Sequence, residues 1–251
     1  MKFEKDIFIS YAHIDNEALR KDETGWVADL HRALEIRLSQ LLGERPNIWR
    51  DKKLQGNDFF GDEIIDQFPN TAILLSIISP RYMKSEWCIR EIEQFKKVAE
   101  SNLGLRIGNK SRIIKVIKTP VPISQHPDFV RDVLGYEFYT ADYETGKHTE
   151  YSQAPEAGTE REYWQKLDDL AHDIAKLITE IRNDNSAPSL GTSSNSKAIY
   201  LAEVGTELRD ERDNIKRELV SRGYAVYPDK YLPPYFDEYV QEATELLNKC
   251  K

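Results

Sequence analysis

The segment Ala72–Ile78, AILLSII, is apolar at every position but Ser76. A half-exposed strand alternates, so a run apolar on both alternations must be covered on both faces. That describes a central strand of a parallel sheet sandwiched by helices. Ser79-Pro80 ends it, because proline cannot donate to the ladder. A short loop follows, and Ser85 with Glu86 then reads as a helix start, a hydroxyl cap followed by an acid at the positive end of the helix dipole.

The helix from Glu86 carries an apolar stripe at Cys88, Ile92, Phe95 and Ala99, the spacing of a core-facing surface. Its acids differ. Glu86 and Glu93 each have a base four residues on, Arg90 and Lys97. Glu91 has Trp87 and Phe95 at i±4 and Cys88 and Gln94 at i±3, none cationic. It therefore flanks the core stripe beside a tryptophan, where burial favours the neutral acid. Two readings stand side by side. One is a surface glutamate whose stem lies along the stripe; the other is a functional acid in a desolvated site.

A chain of 251 residues with 31% charged residues and net charge -8 makes one large domain or about two. The excess of acid, without a basic cluster, excludes a nucleic-acid footprint. No apolar run reaches membrane-span length, and the opening MKFEKDIFISYA reads as the start of a strand rather than a signal peptide. Cys88 and Cys250 are too far apart in sequence for a disulfide framework, and the five histidines lack ligand spacing, so no metal site is expected. A cytoplasmic protein is the expectation.

In order, Asp6–Ala12 (DIFISYA) is a buried strand, Trp26–Leu42 an amphipathic helix and Asn47–Arg50 a brief strand. Asp51–Asp58 is a loop turning at Gly56, and Phe59–Phe68 a short helix. Arg112–Ile117 is the next strand. A short helix near Asp128–Leu134, a strand at Tyr136–Tyr139 and a long helix over Tyr163–Arg182 follow. The turn after the first strand lacks the Rossmann and P-loop phosphate cradles, which excludes the commonest redox and phosphoryl-transfer enzymes. Alternating strands and helices make a doubly wound, flavodoxin-like α/β sheet flanked by helices. Ligands in such sheets bind beyond the carboxyl ends of the strands. Tyr11–His13, Asp51–Asn57 and Ser79–Trp87 all leave that edge, and Glu91 begins the second turn of the helix that follows. Asn183–Ser196 is a polar linker. Residues 197–251 (a strand over Lys197–Val204, a helix over Leu208–Arg222, a strand over Tyr224–Tyr227 and a helix from Phe236) are too little to bury a doubly wound core. The expectation is the start of a second α/β domain in a longer protein.

Three motifs, DIFISYA, WRDKKLQGND after the second strand and SEWCIRE after the third, lie in order at one sheet edge. Together they resemble a bacterial TIR (Toll/interleukin-1 receptor) domain over residues 4–182, within a domain spanning 1–182. Residues 197–251 look like the start of a second TIR-like unit. Some TIR domains only self-associate; others cleave NAD+ at the nicotinamide–ribose bond with the glutamate of W-x-x-x-E, which here is Glu91. Trp87 is then either a substrate-binding residue packed beside the ribose or nicotinamide or a packing residue at the helix start. The resemblance implies that Tyr11 and Ala12 line the same pocket. It also implies that Leu54, Gln55 and Gly56 form a loop found at subunit contacts that can close over substrate. Asp51 is either a pocket residue or a turn former. NAD+ is then a substrate, with no separate cofactor. The implied partner is another copy, in a homo-oligomer or filament acting in anti-phage defence; the alternative is a scaffold that acts only by assembly. Some family enzymes place arginines directly after the first strand to meet substrate phosphate. Here Ala12-His13-Ile14-Asp15 stands there, leaving Arg50 or Arg81 to serve. A phospho-receiver reading, prompted by Asp51 and Lys118-Thr119-Pro120, fails for want of paired acids after the first strand.

Overall fold

Five parallel strands form the centre of the first of two units, Met1–Pro188 and Ser189–Lys251. The computed structural model describes residues 3–18, 23–50 and 64–184, without 109, 132, 134, 143, 144, 155 and 156. In the second unit it describes 197–205, 224–228, 232, 236–250 and scattered positions between 208 and 222.

The strands are β1 (Lys5–Tyr11), β2 (Ile48–Arg50), β3 (Thr71–Ile78), β6 (Ile113–Ile117) and β7 (Gly135–Glu137). Their order across the sheet is β2-β1-β3-β6-β7, with every pairing parallel. The chain leaves β1 to one side and returns on the other, which puts the switch point between β1 and β3. β3 is buried at all eight positions, as the apolar run requires. The sheet is doubly wound α/β as expected.

One face packs on α1 (Trp26–Leu42) and α5 (Glu160–Asp184), with Ile7, Ile9, Leu30, Leu34 and Ile174 among the core. The other face packs on α3 (Glu86–Ser101), through Phe8, Leu74, Ile92 and Phe95. α1 ends at Gly43, whose φ of 72 lets its N–H reach the Ser39 carbonyl without the penalty a side chain would carry.

Several elements depart from the sequence expectation. The link after β3 is one turn of helix, α2 (Pro80–Met83), because Ser79 accepts from the Tyr82 N–H and caps it. α5 starts at Glu160 and runs to Asp184, two residues past the expected boundary at 182. Two hairpins are absent from the sequence expectation: β4 (Arg106–Ile107) with β5 (Lys110–Ser111), and β8 (Tyr139–Ala141) with β9 (His148–Glu150). Strands of two or three residues are too short for periodicity to register. The fourth parallel strand in chain order, β6, begins at Ile113. Arg112 before it is wholly buried and turned to other work: its guanidinium donates to the carbonyls of Ala72, Thr71 and Gly104 and to Asn102 Oδ1. α4 (Asp128–Arg131) is a single turn. The first half of the expected helix over 59–68, residues 59–63, lies outside the described residues; Ile64 and Phe68 are buried against α3.

In the second unit β10 (Ala198–Tyr200) pairs in parallel with β11 (Ala225–Tyr227). The strand expected over Lys197–Val204 is thus only three residues long, since β11 offers no longer partner. Helix α6 (Phe236–Asn248) packs Ala243 and Leu246 against Leu232, Tyr200 and Tyr227. Among the described residues, no helix is long and apolar enough to cross a membrane.

Candidate active site

Pleating assigns alternate residues of β1 to opposite faces of the sheet. Phe8, Ser10 and Ala12 face α3 and α2, whereas Ile7, Ile9 and Tyr11 face α1. That division decides which side chains can meet at the carboxyl edge.

α3 lies over β1 and β3 and is fixed by the cap from Ser85, whose hydroxyl accepts from the Cys88 N–H at 3.3 Å. Its stripe of Cys88, Ile92, Phe95 and Ala99 is buried, and so is Glu91, 3% exposed. The carboxylate is held from two elements. Ser10 Oγ donates to Glu91 Oε2 at 2.5 Å, and Trp87 Nε1 donates to Oε1 at 2.7 Å. Behind Ser10, the wholly buried Tyr82 hydroxyl lies 2.9 Å from Ser10 Oγ and 3.4 Å from the Cys88 carbonyl. The Trp87 ring is flanked by the Arg90 guanidinium, 5.5 Å from its centroid.

The Glu91 carboxyl group and the burial around it mark their neighbours. Burial, reinforced by Cys88 and Glu91, pushes the Tyr82 phenol well above its ordinary value, so it stays protonated. Burial, with Glu91 nearby, pushes the Cys88 thiol up to about 12, which makes it a packing group rather than a nucleophile.

A second polar cluster sits where β1, β3 and β6 end. Ser79 Oγ donates to Asp15 Oδ2 at 2.6 Å, and Lys118 Nζ pairs with Glu150 Oε2 at 2.7 Å, with the Thr119 hydroxyl also on Glu150. Burial holds the Asp15 carboxyl above the usual carboxylate range, against the opposing pull of Ser79 and Lys118. Among the described residues no three His, Cys, Asp or Glu side chains converge as a metal site needs.

The residues singled out from sequence therefore divide. Trp87 and Glu91 are in direct contact. Ala12 lies on their face of the sheet, packed with Ile78, Tyr82 and Cys88. Tyr11 lies on the α1 face, its ring 5.4 Å from that of His13 and its hydroxyl 3.4 Å from Arg50 Nη1. Arg50 also donates to His31 Nδ1 at 3.1 Å, so it too sits on the side away from Glu91, while Arg81 is exposed on α2. Asp51, Leu54, Gln55 and Gly56 lie outside the described residues. Ser10 and Tyr82 are the site residues that sequence reasoning passes over. The available signal is a serine interrupting an otherwise apolar strand.

The geometry is a carboxylate buried at the switch point of a doubly wound sheet, the place where such folds bind ligands. The family profile for the TIR domain matches residues 7–148, more than half of the chain. A comparison with curated proteins returned no match. Among solved structures, the TIR domains of the activated Roq1 resistosome directly recognizing the pathogen effector XopQ are 16% identical. That match covers 72% of this chain and 99% of the other, with a TM-score of 0.32, a likeness too distant to bear on the site. The chain belongs to the TIR domain family.

Proposed function

We propose that the chain is an NAD+ glycohydrolase in which Glu91 is the catalytic carboxylate. The observation that carries this reading is a carboxylate with a donor on each oxygen, beside an indole, at the switch point of the sheet. The chemistry asks for a single anion. Most glycosidases need two carboxyl groups, one of them to protonate a poor leaving group. Nicotinamide departs from a pyridinium as a neutral molecule: the C1′–N1 bond breaks with its electron pair going to nitrogen, and no proton is required. What remains is an oxocarbenium-like ribose, whose developing positive charge a preorganised carboxylate in a water-poor site stabilises. Attack of water at C1′, with loss of its proton, gives ADP-ribose; attack by a nucleophile within the same molecule gives a cyclic isomer.

TIR–TIR self-association is the proposed switch, the loop at Leu54–Gly56 of one copy completing the site of another. Such an activity suits anti-phage defence in the cytoplasm, where loss of NAD+ halts the host cell. The test is nicotinamide release from NAD+ by the purified full chain over a wide range of protein concentration, with mass spectrometry of the product. Release should rise more than in proportion to concentration and vanish in Glu91→Ala. Specific activity that stays flat on dilution removes the self-association switch.

One observation favours a second reading, a non-catalytic scaffold that assembles through its TIR domain. The bonds from Ser10 and Trp87 tie the Glu91 carboxylate into the fold, and a structural tie between α3 and β1 requires no substrate. Wild-type protein that releases no nicotinamide even when concentrated leaves that reading standing.

A further inference from the structure

Three polar residues interrupt the apolar strands beneath α3: Ser10 in β1, Ser76 in β3 and Lys115 in β6, each 1% exposed or less. Strand register pairs Ser10 with Ser76 and Ser76 with Lys115, so they form one row across the sheet. Their ends diverge. Lys115 Nζ turns to the Val130 carbonyl at 3.1 Å, and Gly135 leaves it room, since a Cβ there would lie 2.9 Å from Lys115 Cε. The serine end meets Tyr82 and Glu91.

Counting protons gives that end a direction. A hydroxyl has one hydrogen to donate. Ser10 spends its own on Glu91 Oε2 at 2.5 Å, so the 2.9 Å contact with Tyr82 requires the phenol to donate to Ser10. The Cys88 carbonyl, at 3.4 Å from the phenol, is a weaker alternative acceptor, and the Ser76 hydroxyl also neighbours the phenol. The chain then runs Tyr82 O–H to Ser10 Oγ–H to Glu91 Oε2. Donor chains of this kind polarise one another, each bond strengthening the next.

Trp87, which donates to the other carboxylate oxygen, stands one turn earlier on the same helix and so cannot fix Glu91 against the sheet. Ser10 comes from the central strand, a separate and rigid element. From this geometry we infer that Ser10 and Tyr82 are positioning residues for the Glu91 carboxylate, Ser10 by direct donation and Tyr82 through Ser10. The inference rests on the NAD+-cleaving reading above. Tyr82 is suited to the role because its raised pKa keeps it a donor throughout the working pH range.

The experiment measures nicotinamide release by the full chain against NAD+ concentration and pH, for wild type, Ser10→Ala, Tyr82→Phe and the double variant, at one protein concentration. A catalytic group displaced by an ångström loses about 100-fold in rate. Ser10→Ala should lose kcat on the order of 100-fold with KM changed by less than about threefold. Its acid limb should move to higher pH, because the carboxylate has lost a donor to its ionised form. Tyr82→Phe should lose about 10-fold, and the double variant should be no slower than Ser10→Ala alone, the signature of residues acting in series. An active wild type matched in kcat by Ser10→Ala overturns this inference and leaves the glycohydrolase reading intact. So does a double variant whose losses multiply. Should Ser10→Ala fail to fold, Tyr82→Phe decides, and wild-type kcat in that variant overturns the inference. A wild type that releases no nicotinamide overturns both.

Discussion

Replacing Glu91 by glutamine separates a catalytic role from a structural one, because the surrounding hydroxyls can reverse. Trp87 Nε1 can only donate, so the oxygen of the introduced amide must face it across the present 2.7 Å. The amide N–H2 then points at Ser10 Oγ, which can accept. Ser10 turns its proton to Tyr82, and Tyr82 turns its own to the Cys88 carbonyl, already 3.4 Å away. Each of these donors keeps an acceptor, and the loss is the charge-assisted part of two bonds, about 1 kcal/mol each, offset by no longer holding a charge in a buried site. Glu91→Ala removes the acceptor altogether. It removes the acceptor of the half-buried indole N–H, about 1–3 kcal/mol, and opens a cavity costing roughly 1–2 more. Urea unfolding followed by tryptophan fluorescence reads the difference in the first unit alone, since Trp26, Trp49, Trp87 and Trp164 all lie there. The expected result is a small loss for Glu91→Gln and about 2–5 kcal/mol for Glu91→Ala, with nicotinamide release abolished in both. Equal destabilisation by the two variants would refute the reversible chain. Full activity in Glu91→Gln would refute the need for a negative charge.

Three further outcomes follow from the same packing. Arg112 is wholly buried, and although burial pulls its pKa down to about 10 it is charged at neutral pH; Arg112→Leu removes its donation to the carbonyls of Ala72, Thr71 and Gly104 and leaves Asn102 Oδ1 with the Leu103 N–H. The cost is at least about 3 kcal/mol, a fall in Tm of about 6–12 °C for a unit of this size, and a fall below about 2 °C would contradict it. Iodoacetamide at pH 8 should modify Cys250 and spare Cys88, whose thiol is pushed up to about 12 by burial and the Glu91 charge; peptide mass mapping that finds native Cys88 alkylated at a comparable rate would show that it is not buried as described. Asp15 carries a pH dependence: its folded pKa is raised by burial, so the folded chain binds the proton more tightly than the unfolded one. Its contribution to stability therefore grows as pH falls through the folded value, and is complete only below the unfolded value. Asp15→Asn should flatten the pH dependence of the urea midpoint in that window, and an unchanged slope would count against it.

The sheet and its helices are largely legible in the residues. Two apolar runs without alternation, DIFISYA and AILLSII, define buried parallel strands, and the stripe at Cys88, Ile92, Phe95 and Ala99 orients α3 without reference to any other element. The same helical spacing singles out Glu91 as an acid with no cation one turn away. The hairpins β4–β5 and β8–β9 escape because two or three residues carry no measurable period. Tyr11 shows a different limit. It is next to Ala12 in sequence and at the same edge, yet the pleat sends it to the α1 face, away from Glu91.

Local pattern settles what each segment becomes, because hydrophobic period and capping act within a few residues. Which side chains share a site depends on strand order and register, properties of pairings between segments dozens of residues apart. Ser10 and Glu91 are 81 positions apart in the chain and meet only because β1 lies beside β3 with α3 above them. Tyr82 joins them through a helical turn whose four residues read as loop in the sequence. Helix chemistry alone marks Glu91 as unusual; the long-range packing of strand against helix brings Ser10 to its charge.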